Sequence, residues 1–265
     1  MEEIKNYGVI EGQRGTDWVA GSIPFEELNP SGVWDQWLPL GEWQRIGNLD
    51  LMACVTFSGL NILEMIYFFM TGTRRNFADR FNAFLSGTTV NGNWLWKVGD
   101  SFRKDGLVDE IEWPTPSANP TWEEYYIPPT IDTINKGKKF LEDWTINYEF
   151  IDFSRDSLLY HIKQSPIQVV IPGHAVALFN VGQVYKYFDS YEPFIKERSE
   201  GFSSALKYVM TRKTKMLDKE DVRFLQAREG YHDDSGVEFW GNGSHTLKEY
   251  KTERVPDKIK ELTDL

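Results

Sequence analysis

Residues 174–191, HAVALFNVGQVYKYFDSY, decide the fold of this chain. Apolar and polar residues alternate on both sides of Val181 and Gly182, a pattern typical of two antiparallel strands joined by a tight turn. If that turn has two residues, the numbers of paired residues sum to 363, and His174 lies opposite Asp189. Opposed residues share a face of a sheet, so the pattern predicts an imidazole-to-carboxylate hydrogen bond at the open end of the hairpin.

A histidine held by a carboxylate can activate a nucleophile, because the carboxylate fixes its tautomer and stabilises the imidazolium. The single cysteine, Cys54, stands at the start of an apolar run, residues 53–70. This run contains Asn61 and Glu64 and lies inside globular sequence, which favours a buried helix over a membrane span. A helix N-terminus and a nearby imidazolium both lower the pKa of a thiol, so Cys54, His174 and Asp189 are predicted to form an activated-thiolate triad. A small core cysteine is the alternative.

The amino-acid composition excludes several classes of protein. The 265 residues suffice for a large core, and aromatic residues reach 15%, which argues against disorder. The charge balance of 29 Lys+Arg against 40 Asp+Glu gives −11, so nucleic acid and anionic membranes are not expected partners. One cysteine excludes an intramolecular disulfide or a multi-cysteine metal centre, and no metal or cofactor is expected. Without a secretory signal pattern, the expected location is the cytoplasm or the inside of a virus particle.

The order of patterns along the chain predicts an α+β fold. Residues 1–45, called the N-terminal strap below, are rich in Gly, Pro and Trp and predict extended segments packed over a core. Helical patterns follow, then an irregular stretch with five prolines at 113–129, and then strand patterns from residue 145. Residues 1–212 are predicted to be one domain, with a helical half packed on an antiparallel sheet half. Residues 213–265 are predicted to be a small helical appendage.

Several segments resemble motifs of the papain-like cysteine peptidases, in the order that this family uses. They cover about residues 35–195. Cys54 to Ser58 (CVTFS) resembles the nucleophile motif that opens the central helix, and Gly106 to Pro114 matches a G-x-x-x-E-x-x-Y-P segment with Trp113 in place of Tyr. The other similar segments are Gly92-Asn93 at the family's Gly-Gly pair, His174-Ala175-Val176 at its histidine strand, and Asp189-Ser190-Tyr191 at its Asn-Ser-Trp.

The resemblance implies hydrolysis of peptide bonds through a thioester on the cysteine. Gln44 is the expected side-chain donor to the oxyanion, with Asn48 as the alternative, because neither stands at the family's usual distance from the cysteine. Tyr191 would shield the histidine-to-acid hydrogen bond in place of the family's indole.

An extended peptide or protein substrate would bind along Gly92, Asn93 and Gly173. The segment before Cys54 is short for a helical prodomain, which favours a permanent strap over an inhibitory propeptide.

Two other functions stay open. A transglutaminase-like or cell-wall amidase enzyme also orders a helix cysteine before a strand histidine, although the separation of 120 positions between Cys54 and His174 favours papain. A catalytically silent papain-like protein of a virus particle or larger assembly is the other alternative. Residues 233–240 (DDSGVEFW) faintly resemble a repeat of bacterial surface and phage proteins, which suggests a docking partner for the C-terminal helices.

Overall fold

The computed structural model describes residues 6–10 and 27–213. The predicted C-terminal appendage therefore lies outside the described residues, apart from Lys213. The α-helices of the described part are α1 (Cys54–Thr71), α2 (Asp79–Leu85), α3 (Leu95–Asp105), α4 (Trp122–Tyr125), α5 (Ile131–Asp143) and α6 (Arg155–His161). Its strands are β1 (Val9–Ile10), β2 (Arg45–Ile46), β3 (Leu49–Asp50), β4 (Asn93–Trp94), β5 (Trp144–Phe150), β6 (Ile167–Ile171), β7 (His174–Val181), β8 (Tyr185–Phe188), β9 (Ile195–Arg198) and β10 (Ser204–Arg212).

The second half of the described chain forms one six-stranded antiparallel sheet, in the order β5-β10-β6-β7-β8-β9. Strands β6 and β7 are central and buried on both faces, so their sequences IQVVI and HAVALFNV are almost continuously apolar. The sequence patterns predict β5 to β8, but they miss β9 and β10. The α+β architecture is confirmed. Most of the helices precede the strands of this sheet along the chain.

Helix α1 is the core of the molecule. It is long and apolar enough to cross a membrane, but 72% of that apolar stretch is buried inside the protein, which is typical of a core helix. Gln168 of β6 donates hydrogen bonds from Nε2 to the Val55 carbonyl and to Ser58 Oγ, both at 2.7 Å. These buried hydrogen bonds join α1 to the sheet and fix the position of Cys54 relative to β7.

The predicted register of the β7–β8 hairpin is wrong. Ala177 pairs with Phe188 and Leu178 with Tyr187, so the numbers sum to 365, and a β-bulge changes the register between Leu178 and Asn180. The loop has three residues instead of two, which raises the sum to 366 at Val181 and Tyr185, and the bulge then lowers it by one. Because the total shift is two residues, Asp189 keeps its face and becomes a diagonal neighbour of His174, still within side-chain reach.

The helical half differs from its prediction in detail. Helix α3 ends before Gly106, whose φ of 77° suits a glycine cap. Helices α2 and α5 are not predicted, and the proline-rich stretch contains α4, which a Thr121–Glu124 capping box stabilises. In the strap, Trp34 is fully buried and donates from Nε1 to the Ile162 carbonyl at 2.7 Å, so the segment from residue 27 packs on the core as expected.

Candidate active site

Cys54 is the first residue of α1, and its side chain is fully buried. Its Sγ accepts a hydrogen bond from the backbone N–H of Ala175 at 3.4 Å. Ala175 follows His174 in β7, so the sulfur lies against the strand that carries the histidine. The helix start and the strand start thus bring together the two residues that the sequence singles out, although they are 120 positions apart.

His174 forms a hydrogen bond through one ring nitrogen, while its other ring nitrogen has no hydrogen-bond partner among the described residues. Its Nε2 lies 2.8 Å from Asp189 Oδ1, and both side chains are almost fully buried. Since a carboxylate only accepts, Nε2 carries the proton and Nδ1 presents a lone pair when the ring is neutral. Nδ1 is buried and makes no hydrogen bond with any described residue, so a Cys54–His174 hydrogen bond is not formed. The ring therefore has the tautomer and the free nitrogen that a base requires.

Gln44 lies in the site, and Asn48 does not. Gln44 is fully buried; its Nε2 donates to Asp50 Oδ1 at 3.0 Å and to the Tyr7 carbonyl at 2.7 Å, while its Oε1 accepts from Ser190 Oγ. Asn48 is exposed on the turn between β2 and β3. Asp50 and Ser190 fix the amide so that its second N–H points at a carbonyl oxygen.

Tyr191 contacts Asp189, Asp50 and His174. Its backbone N–H donates to Asp189 Oδ1 at 3.1 Å, and its hydroxyl donates to Asp50 Oδ2 at 2.7 Å. Its ring centroid lies 5.7 Å from that of His174. The ring therefore lies next to the imidazole that makes the histidine-to-acid hydrogen bond.

The expected substrate groove is filled by the chain's own residues 6–10, called the cleft segment below. The Tyr7 N–H donates to the Gly173 carbonyl at 2.8 Å, and the Asn93 N–H donates to the Gly8 carbonyl at 2.8 Å. Val9 and Ile10 pair in parallel with Asn93 and Trp94. The predicted substrate-binding residues thus hold an extended peptide, and that peptide is intramolecular.

Sequence comparison detects no relative: no family model matches the chain, and no curated protein matches it. Solved structures do match. Xylellain, a cysteine protease from Xylella fastidiosa, is 14% identical over 78% of this chain and 96% of its own, with a TM-score of 0.54. Digestive procathepsin L 3 of Tenebrio molitor larval midgut is 13% identical, over 77% and 76%, with a TM-score of 0.52. The Carica candamarcensis protease CMS1MS2 in complex with E-64 is 13% identical, over 67% and 96%, at 0.51. This chain has the papain-like fold.

Within this papain-like fold, the thiol environment contradicts the predicted low pKa. Burial raises the pKa of the Cys54 thiol to about 12, and the charges of Asp50 and Asp189 add to the rise, while the Ala175 hydrogen bond acts against it. The prediction considered only the helix dipole and the imidazole. It did not include the complete burial of the sulfur or the carboxylate of Asp50. In the closed papain-like site, Cys54 is a protonated thiol at neutral pH.

Two polar residues of the site escape the sequence analysis. Asp50 joins Gln44, Tyr191 and the Met52 N–H through its two carboxylate oxygens. Lys196 of β9 places Nζ 2.8 Å from Asp189 Oδ2. The signal for Lys196 is the alternating run IKER (195–198), which becomes visible only when β9 is recognised as a strand.

Lys196 explains how the site accommodates the buried carboxylate of Asp189, at the position where the resemblance implies asparagine. Burial alone would raise the pKa of Asp189, but hydrogen bonds and charge attraction from His174 and Lys196 bring it below its ordinary value. Each carboxylate oxygen has its own partner, with Oδ1 on His174 and Oδ2 on Lys196. The ammonium balances the added charge, so His174 faces an acceptor whose negative charge is largely compensated.

Replacing Lys196 with methionine should lower the free energy of unfolding by about 1–2 kcal/mol at pH 7, because a charged hydrogen bond to a buried carboxylate is lost. Since the pKa of Asp189 is lowered in the folded state, its contribution is present above about pH 4 and is lost as the pH falls through the folded pKa. The difference between Lys196→Met and the parent should therefore shrink in acid. Urea unfolding at several pH values measures it.

Lys186→Met is the matched control for Lys196→Met. Lys186 lies on β8 and pairs at 3.6 Å with Glu197 on the exposed surface of the same sheet. An exposed pair of this kind contributes little, so the control should change stability by no more than about 0.5 kcal/mol. Equal losses in the two variants, or a Lys196→Met loss that does not change with pH, would contradict the role assigned to Lys196.

Proposed function

We propose that this chain is a cysteine peptidase that hydrolyses peptide bonds through a thioester on Cys54. The observation that supports the proposal most is the state of His174, which binds Asp189 through Nε2 and leaves a buried, unpaired Nδ1 beside the strand that touches the Cys54 sulfur. A purely structural histidine of this burial would be expected to pair both nitrogens.

The reaction needs only groups that the chain supplies. Nδ1 of His174 takes the thiol proton, and the sulfur electron pair forms a bond to the substrate carbonyl carbon, so the carbonyl oxygen becomes an oxyanion. Gln44 Nε2–H and the Cys54 backbone N–H, free in the first helical turn, stabilise that oxyanion. His174 then gives the proton to the amine nitrogen as the C–N bond breaks and the thioester remains. Water adds next as His174 takes its proton, the C–S bond breaks to release the carboxylic acid product, and His174 returns the proton to the sulfur.

The cleft segment has to leave before a substrate can enter. Its Tyr7 carbonyl accepts from the Gln44 amide, and its backbone uses the Gly173 carbonyl and the Asn93 N–H. A substrate would need these same groups. The described conformation is therefore a closed form of the proposed enzyme, and the expectation of a strap that only packs on the core does not apply to residues 6–10.

The test uses an open variant, defined as the full chain with residues 6–10 replaced by five serines. The open variant should hydrolyse a denatured protein or a mixed peptide library, and adding Cys54→Ser should abolish that hydrolysis. Wild-type protein should be slower than the open variant. If the open variant is folded, its thiol reacts with iodoacetamide, and it still cleaves no peptide, the proposal is wrong.

A catalytically silent papain-like protein is the second candidate, and the closed site favours it. The fully buried thiol has its pKa raised to about 12, and the oxyanion donor already holds a carbonyl. This candidate predicts that the open variant exposes a thiol without hydrolysis. A transglutaminase-like enzyme would instead incorporate an amine into a glutamine peptide. The open variant can be assayed for that reaction.

A further inference from the structure

Gln44, the proposed oxyanion donor, stands at the base of a hairpin that is too short to hold it in place. Strands β2 and β3 pair over only two residues each, and the turn between them, residues 47–48, is exposed. A two-stranded hairpin of this size is not stable by itself. An oxyanion donor must keep its orientation before substrate arrives, so the contacts at the base of the hairpin have to fix the Gln44 amide.

Asp50, the last residue of β3, makes those contacts. Its Oδ1 accepts from Gln44 Nε2 at 3.0 Å and from the Met52 N–H at 3.1 Å, and its Oδ2 accepts from the Tyr191 hydroxyl at 2.7 Å. Both carboxylate oxygens are therefore engaged, and a rotation of the Asp50 side chain would break hydrogen bonds on both. The Leu51 N–H also donates to the Gln44 carbonyl at 3.2 Å, which closes the base of the hairpin.

Tyr191 links this hairpin to the loop that carries the acid of the proposed triad. Its N–H donates to Asp189 Oδ1 at 3.1 Å. The neighbouring Ser190 accepts from the Gln44 N–H at 3.0 Å and donates from Oγ to Gln44 Oε1 at 3.2 Å. Among the hydrogen bonds that cross between the hairpin and this loop, the one from Tyr191 to Asp50 has a charged acceptor, which makes it stronger than a bond between neutral groups.

The charge of Asp50 works against the proposed reaction. A carboxylate near the sulfur and the oxyanion disfavours the negative charge that forms on both. Burial is the main cause of the raised pKa of the Cys54 thiol, and the charge of Asp50 adds to the rise. Any benefit of Asp50 to the reaction must therefore come from the groups that it holds. An uncharged residue with the same hydrogen bonds should replace it without a large loss.

We propose that Asp50 is a positioning residue for the oxyanion donor. It holds the Gln44 amide in the orientation that binds the oxyanion, and through Tyr191 it keeps that amide at a fixed place relative to the loop of Asp189. The inference rests on the proposed peptidase function for the oxyanion, but the hydrogen bonds of Asp50 and their effect on the amide do not depend on catalysis. Asp50 acts through Gln44 and Tyr191 and does not touch the reacting atoms.

The first test separates position from charge in the open variant. Asp50→Ala removes both, so kcat should fall by about 10–100-fold while KM changes by less than about threefold. Asp50→Asn removes only the charge, because its oxygen can still accept from Gln44 and its amide can donate to the Tyr191 hydroxyl, so kcat should stay within about threefold of the parent. Both changes should speed iodoacetamide labelling of Cys54 at neutral pH, since both remove the opposing charge.

Two further variants complete the kinetic test. Tyr191→Phe keeps the ring and removes only the hydroxyl, so it should lower kcat by about three- to tenfold, and adding it to Asp50→Ala should cause little further loss. Asp132→Ala is the matched control, since the Asp132 side chain is 78% exposed on α5, where it pairs with Lys136, and kcat should stay within about twofold of the parent. If Asp50→Ala kept its kcat, or if Asp50→Asn lost as much as Asp50→Ala, the inference would be wrong.

The second test needs no catalysis. NMR measures hydrogen exchange of the Gln44 side-chain amide in the open variant that also carries Cys54→Ser. Exchange should be at least about tenfold faster after Asp50→Ala and unchanged after Asp50→Asn, because only the alanine form lacks the acceptor. Equal exchange rates in the Asp50→Ala form and its parent would overturn the inference.

Tyr191→Phe decides the question by the same NMR measurement if the Asp50→Ala chain does not fold. Exchange of the Gln44 amide should then be about threefold faster than in the parent, because Asp50 has lost its tie to the neighbouring loop, and an unchanged rate would count against the bridge. The expected exchange rates together with no peptide hydrolysis by the open variant would refute only the peptidase proposal.

Discussion

Replacing His174 with alanine in the open variant should lower kcat/KM for peptide hydrolysis by roughly 10⁴-fold or more, because the base and the proton donor to the leaving amine are lost together. The same change should slow iodoacetamide labelling of Cys54 at neutral pH, since no imidazolium then remains to stabilise the thiolate. Stopped-time hydrolysis and labelling rates from pH 5 to 10 measure both effects.

The labelling profile separates a catalytic from a structural role for His174. In the open variant, labelling should already be fast near neutral pH, and in the His174→Ala form it should rise only as the pH approaches the ordinary thiol pKa of about 8.5. His161→Ala is the comparison variant, since His161 is also buried but lies on α6 and contacts Gln164 and Lys207. An identical profile for the parent and His174→Ala would show that the imidazole does not act on the sulfur.

Replacing Gln44 with alanine should lower kcat of the open variant by about 10²–10³-fold with a smaller change in KM, because an oxyanion donor acts mainly in the transition state. The amide is suited to this role because Asp50 and Ser190 hold it in one orientation before substrate arrives. Steady-state kinetics on one peptide gives kcat and KM separately.

Asn48→Ala is the control for Gln44→Ala, because Asn48 is the alternative donor that the sequence analysis considers. It lies exposed on the β2–β3 turn, and its replacement should leave kcat within about twofold of the parent. If Asn48→Ala lost as much activity as Gln44→Ala, the donor would be misassigned. If neither variant lost activity, the oxyanion would have to be stabilised by backbone N–H groups alone.

The parts of the site that the sequence predicts are those that depend on local patterns. The apolar run after Cys54 is a helix, and the alternation around Val181 is a hairpin, so the cysteine and histidine lie at the ends of their own elements. The hairpin register is wrong by two residues because the loop is longer than predicted and because a bulge leaves no mark in an apolar strand. Asp189 still lies on the predicted face of the sheet, because a register shift of two residues preserves side-chain direction.

The parts that the sequence does not predict depend on distant contacts. Lys196 reaches Asp189 across a β8–β9 pairing, and Asp50 acts through a turn too short to show periodicity. The cleft segment is the extreme case, because Tyr7 bonds the Gly173 carbonyl from far along the chain. No pattern in the sequence of residues 6–10 indicates that the Gly173 carbonyl is their partner. The raised pKa of Cys54 follows from its complete burial, which depends on distant packing that no local pattern shows.

The most direct test of the central claim is a search for the thioester itself. The open variant is mixed with a peptide ester whose last residue is tyrosine, because Gln44 holds the Tyr7 carbonyl, and the mixture is acid-quenched within one turnover, digested and examined by mass spectrometry. The account predicts the acyl mass on the peptide that contains Cys54, and its loss in the Cys54→Ser form. An open variant that hydrolyses the ester at the same rate after Cys54→Ser, or whose accessible thiol never carries the acyl group, would contradict it.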